Sequence, residues 1–176
     1  MDILKLGNEK DLPENYTGIV EYTIDIASYF IIGKRPSEDG SGDICYYTNG
    51  LLHREDGPAW IESNGTIHYY INGKCHREDG PAIIWKDGRF NYFLNGLLHR
   101  EDGPAIIRTD GIIEYYLNGK LHREDGPAII YPDGEKVYYL NGKEITTEEV
   151  EEWIKDNNIP KVWDNSHKIL FKLTFG

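Results

Sequence analysis

The sequence predicts a mainly β fold: an elongated tandem array of antiparallel hairpins with a 23-residue period and a short C-terminal capping helix. Three observations predict it. The run His-Arg-Glu-Asp-Gly-Pro-Ala occurs four times without a mismatch, beginning at His53, His76, His99 and His122. An Asn-Gly pair repeats in phase five times, from Asn49-Gly50 to Asn141-Gly142. A second glycine keeps the same period at Gly65, Gly88, Gly111 and Gly134. Turn residues at fixed intervals, with short apolar runs between them, are what stacked hairpins require.

Within one period, Ala82-Ile83-Ile84-Trp85 reads as a short apolar strand and Asp87-Gly88 as a two-residue hairpin turn. Phe90 to Leu94 reads as the return strand, Asn95-Gly96 as a tight turn, and Glu101-Asp102-Gly103-Pro104 as the corner that brings the chain back. Gly57, Gly80, Gly103 and Gly126 are read as turn glycines that supply positive φ at these corners. The return strands alternate. Ile67, Tyr69 and Ile71, with Phe90, Tyr92 and Leu94, then Ile113, Tyr115 and Leu117, then Tyr138 and Leu140, form the expected core face. Opposite them stand Tyr70, Phe93, Tyr116 and Tyr139. This aromatic column lies beside the variable His68, Asn91, Glu114 and Val137, so it is expected to be semi-exposed. One hairpin cannot bury its own apolar side, so stability is shared between neighbours.

The ends differ from the middle. Residues 1–28 are read as an N-terminal cap, in which Val20, Tyr22, Ile24 and Ile26 alternate with polar residues in a strand suited to covering an open edge. Residues 29–142 hold about five repeats, the first of them degenerate, with Pro36-Ser37 where the others have His-Arg. Residues 143–176 are read as a helix-and-strand cap. Thr146 and Glu149 form a capping box, and Val150, Trp153 and Ile154 form one apolar helical stripe. Phe171, Leu173 and Phe175 alternate with Lys172 and Thr174, which reads as a strand or extended tail packed on the last repeat.

Composition limits the function. The net charge of −11 repels phosphate backbones and anionic headgroups, which argues against nucleic-acid and membrane partners. Two cysteines are too few for a disulfide framework, and no apolar run reaches transmembrane length. With no signal-peptide layout at the N-terminus, a cytoplasmic protein is expected.

The block from Asn118-Gly119-Lys120-Leu121-His122 through Tyr131-Pro132-Asp133-Gly134 to Tyr138-Tyr139 resembles a MORN-type repeat in its period and both of its turns. It departs from MORN after the histidine, where Arg-Glu-Asp-Gly-Pro-Ala replaces Gly-x-Gly. The chain looks closer to a family of uncharacterised proteins of large bacteriophages and giant viruses that carry the same His-Arg-Glu-Asp-Gly-Pro-Ala repeat. Its ending, Glu-Glu-Trp-Ile-Lys and then Ile-Leu-Phe-Lys-Leu-Thr-Phe, looks like the usual ending of that family. This resemblance implies a hairpin array, a viral origin and hence the host cytoplasm, and no reaction. MORN proteins are membrane-associated or scaffold proteins; the altered motif and the −11 charge argue against lipid binding.

The four His-Arg-Glu-Asp runs are the strongest candidates for chemistry. Arg54, Arg77, Arg100 and Arg123 with the histidines suit an anionic ligand. The structural alternative is a turn held by Arg–carboxylate pairs between neighbouring repeats. A motif copied four times with nothing to distinguish one copy is unlike an active site, which is single and asymmetric. The histidine ladder is spaced too widely for a shared metal ion, so neither metal nor cofactor is expected. His68 is read as a surface position, and Cys75, in a slot otherwise held by Leu52, Leu98 and Leu121, as a small buried apolar residue. The expected function is non-catalytic: a protein-binding or scaffold module, with Tyr70, Phe93, Tyr116 and Tyr139 as a candidate binding stripe and the variable positions choosing the partner. The alternative is a protein that sequesters an anionic small molecule or nucleotide on the repeat Arg, His and Tyr residues. Self-association is compatible with either.

Overall fold

The computed structural model describes residues 42–48 and 50–176, together with the backbone of three earlier strands at Ile3–Leu6, Ile19–Tyr22 and Arg35–Pro36. The chain forms two compact units: residues 1–88 with 93–96, and residues 89–92 with 97–176. Both are built from antiparallel hairpins, so the fold is mainly β, with two helices following the last repeat.

In the first unit the sheet runs Arg35–Pro36, Gly42–Cys45, Trp60–Ile61, Ile67–His68, Ile83–Ile84, each strand antiparallel to the next. In the second it runs Phe90–Asn91, Ile106–Ile107, Ile113–Glu114, Ile129–Ile130, Lys136–Leu140, Lys143–Ile145, again antiparallel throughout. Each repeat before the last also makes a small separate ribbon around its Asn-Gly turn, such as Tyr70–Ile71 with Lys74–Cys75 and Tyr116–Leu117 with Lys120–Leu121.

A full repeat therefore has four two-residue strands where the sequence implied two longer ones. The break falls at Tyr69 and its equivalents Tyr92 and Tyr115. The Tyr115 N–H donates to the Ala128 carbonyl in the sheet, and its own carbonyl accepts from the His122 N–H in the ribbon. The tyrosine is thus the corner between two ladders, and strict alternation cannot continue through it. Among the described return strands, Lys136–Leu140 alone runs unbroken.

The fully buried column is consequently not the expected one. Ala59, Ala82, Ala105 and Ala128, the last residue of each motif, are 0% exposed. Tyr69, Tyr92 and Tyr115 are half-buried, as are Tyr70, Phe93, Tyr116 and Tyr139. Ala105 is bonded through its backbone on both edges: its N–H donates to the Glu114 carbonyl, and its carbonyl accepts from the Tyr92 N–H.

Two kinds of turn close the hairpins. At the four Asn-Gly turns from Asn72-Gly73 to Asn141-Gly142 both residues have positive φ, +49° and +74° at Asn72-Gly73, which is the two-residue turn suited to the twist of a hairpin. The Asp-Gly position differs from the two-residue expectation. Arg108 N–H donates to the Ile112 carbonyl and Gly111 N–H to the Arg108 carbonyl, giving a three-residue loop with Gly111 at φ +88°.

The C-terminal part holds the largest apolar cluster. Helix α1, Thr147–Asp156, starts at Thr146, whose side chain accepts from the Glu149 N–H while Glu149 accepts in return. Val150 and Trp153 on its inner face join Tyr138, Leu140, Ile145, Ile159 and Phe171. The last segment is a correction: Asn165–Phe175 is a second helix, α2, not a strand. Its sequence satisfies both periods, since Phe171 and Phe175 are also four apart. Asp164 and His167 form a reciprocal cap, and Phe171 and Phe175 both face Trp153, which decides for the helix.

At the N-terminus, Ile19–Tyr22 pairs in parallel with Ile3–Leu6. Among the described residues the strand beside Gly42–Cys45 on the outer side is Arg35–Pro36. The rest of the expected edge-covering strand and most of the degenerate repeat lie outside the described residues. Among the described residues no helix is long and apolar enough to cross a membrane.

Candidate functional site

The site is the His-Arg-Glu-Asp-Gly-Pro-Ala turn, present twice in each unit. Its arginine is held on every side. The guanidinium carbon lies 4.1, 4.0, 4.1 and 3.9 Å from the ring centres of Tyr46, Tyr69, Tyr92 and Tyr115 for Arg54, Arg77, Arg100 and Arg123. Nε donates to the aspartate two residues on, at 2.7–2.8 Å, and Nη1 donates to the proline carbonyl four residues on, at 3.2–3.4 Å. A planar cation with a rigid fork of donors fits such a slot, and lysine does not.

The expected pairs between neighbouring repeats are therefore replaced by pairs within one turn. The ring that the arginine covers lies eight residues earlier, and this brings the motif against the preceding strand corner. The following glycine is there for room. Gly57, Gly80 and Gly103 do not take the positive φ expected at these corners, whereas Gly126 does, at +157°. A Cβ at Gly103 would stand 3.0 Å from the Arg100 Cζ.

The histidine ties each turn to the next ribbon. Its Nδ1 accepts the backbone N–H of the asparagine 19 residues on, at 3.0, 3.1, 3.2 and 3.0 Å for His53, His76, His99 and His122. The other ring nitrogen, Nε2, faces the glutamate of the same turn. That nitrogen lies 3.7 Å from the glutamate Oε1 in the first three turns and 3.3 Å in the fourth.

Charges are thus sorted by direction. The arginine side chains are 22–26% exposed, whereas Glu55, Asp56, Glu78, Asp79, Glu101 and Asp102 are 80–86% exposed. Hydrogen bonding and then charge from Arg54, Arg77 and Arg100 hold the Asp56, Asp79 and Asp102 carboxyls below their ordinary value. A carboxyl with a depressed folded-state pKa adds stability above its unfolded pKa, and loses it as pH falls through the folded value. Stability is therefore expected to decline once pH drops below the ordinary 3.8 of these groups. Urea midpoints measured between pH 7 and 2 at constant ionic strength check this; a decline already complete by pH 5 contradicts it.

Removing one guanidinium tests the slot. Arg100→Ala is expected to destabilise the chain by about 2 kcal/mol, combining a lost cation–π stack with a lost bond to the Pro104 carbonyl. Arg100→Lys is expected to recover little of it. Urea unfolding of the two variants beside the parent measures both.

Two of the four variable positions are buried, and Asn91 and Val137 are half-buried. His68 and Glu114 are 7% and 6% exposed, against the surface reading. Each is matched by the residue six places earlier: His68 Nε2 lies 2.6 Å from Glu62 Oε1, and Arg108 Nη2 lies 2.6 Å from Glu114 Oε1. Trp60 stacks on His68 at 4.4 Å, and the Tyr116 hydroxyl donates to Glu114 at 3.1 Å. Burial first, then the Glu114 charge, pushes the Tyr116 hydroxyl up to about 12. The signal was present in the sequence as opposite charges at paired slots in two repeats.

The aromatic column is tied to the arginines through the backbone, because the carbonyls of Tyr70, Phe93, Tyr116 and Tyr139 accept the N–H groups of Arg54, Arg77, Arg100 and Arg123. Cys75 is buried, and burial pushes its thiol up to about 12. Among the described residues no group of three or more His, Cys, Asp or Glu side chains is placed to hold a metal ion. The chain matches no protein-family model and no curated protein.

Proposed function

We propose that this chain is a non-catalytic repeat module of viral origin that acts by binding a protein partner in the cytoplasm of the host. The observation that carries the reading is the direction of charge in the repeated turn. Guanidinium groups are stacked and bonded inward, and paired carboxylates face solvent. Such turns suit a partner with basic side chains and repel an anion. Sequestration of an anionic small molecule on Arg54, Arg77, Arg100 and Arg123 asks the same groups to leave their tyrosine rings. The viral setting is supported by the resemblance of the repeat alone.

Native mass spectrometry of the chain, purified gently from the cells that make it, tests the reading against its denatured mass. A stoichiometric protein whose cross-links reach the Glu-Asp turns is the expected result. A small-molecule adduct released on denaturation, with no protein bound, overturns it.

A further inference from the structure

Among the described residues, side chains of α2 occupy the fourth turn and no lysine is seen on the other three. Lys168 and Lys172 of α2 reach it from successive turns of one helix face. Lys168 Nζ lies 3.1 Å from Asp125 Oδ2, and Lys172 Nζ lies 2.7 Å from Glu124 Oε1. Glu124 and Asp125 fall to 32% and 38% exposed, and His122 closes to 3.3 Å on Glu124. Both carboxylates of the motif take part. Arg123 Nε holds Asp125 by Oδ1 at 2.7 Å, which leaves Oδ2 for the lysine.

The same preparation exists where no lysine sits. Arg54, Arg77 and Arg100 hold their aspartates by Oδ1 at 2.7–2.8 Å, and His53, His76 and His99 stand beside the preceding glutamates. The orienting groups are identical in all four copies, and the exposures of the carboxylates differ more than twofold. The −11 net charge adds a long-range attraction for a basic partner.

From this internal comparison, and resting on the protein-binding reading above, we infer that the three uncovered turns each dock a partner helix bearing two lysine or arginine side chains four residues apart, in the manner of α2 on the fourth turn. The histidine and arginine act as positioning residues that aim the two carboxylates outward. The tyrosine stack keeps the arginine from neutralising both aspartate oxygens.

The test is an NMR titration of the full chain with an alanine-based helical peptide carrying lysine pairs four residues apart, at low salt. The same peptide with glutamate for lysine, and spermidine at matched charge, are the comparisons. Saturable shifts of the carboxyl signals at Glu55/Asp56, Glu78/Asp79 and Glu101/Asp102 are expected, and none at Glu124/Asp125. Glu101→Gln leaves the Arg100–Asp102 pair in place and is expected to weaken binding at its own turn about threefold, the scale of one exposed ion pair. In the triple variant Lys168→Ala, Phe171→Ala, Lys172→Ala, which removes both the lysines and the buried anchor of α2, the fourth turn is expected to join the others. Equal shifts at Glu148, Glu151 and Glu152, equal shifts with spermidine, or no saturable shift overturn the inference. If that happens while a cross-linked protein still co-purifies, only the helix-docking inference fails. If no protein co-purifies, the broader reading fails.

Discussion

Phe171→Ala is expected to destabilise the C-terminal part of the chain by about 4 kcal/mol, the scale of deleting a fully buried ring. Phe171 is 0% exposed and meets Trp153, Trp163 and Phe175 at ring separations of 5.2, 5.1 and 4.9 Å. No other contact of α2 is as deep, because Ile169 and Leu173 point to solvent. The helix is therefore expected to detach before the hairpins unfold. Trp153 and Trp163 report this directly, through a red shift of fluorescence at urea concentrations where the β signal is unchanged. The salt bridges of Lys168 and Lys172 are too exposed to hold α2 in place alone. An unfolding curve superimposable on the parent contradicts the assignment of Phe171 as the anchor.

Ala105→Leu is expected to destabilise by about 3 kcal/mol, the upper end for added methylenes in a packed site. Ala105 is 0% exposed, and both of its backbone polar groups are bonded to flanking strands, so the backbone cannot yield without breaking a bond. Ala105→Gly removes only a methyl group and is expected to cost about 1 kcal/mol. The ordering of the two variants, measured by urea unfolding, distinguishes close packing from simple loss of apolar area. If the leucine variant is as stable as the parent, the alanine column is not the tight point of the fold.

The hairpin architecture was legible because turns impose local rules. Asn72-Gly73 and its copies required positive φ at both positions, and the sequence shows this in every period. The α1 cap at Thr146 and Glu149 was legible for the same reason. What the sequence did not disclose depends on contacts between residues far apart in the period. The buried alanine column looked unremarkable beside Ile83 and Ile84, because its burial comes from neighbouring strands that no local pattern names. The Arg–Tyr stack joins residues eight apart around a corner, which neither a helical nor a strand period would reveal. At α2, Phe171 and Phe175 fitted both periods, and only packing on Trp153 and Trp163 separated them.

The outward display of carboxylates depends on the arginines remaining locked against their tyrosines. The direct measurement is the NMR signal of the arginine side-chain Nε–H groups with and without phosphate. Four arginine side chains lie 3.9–4.1 Å from tyrosine ring centres. Their signals are expected upfield of free arginine, slow to exchange with water, and unmoved by phosphate. Signals at the free position that shift saturably with phosphate would contradict the inward assignment and make the arginines the binding groups.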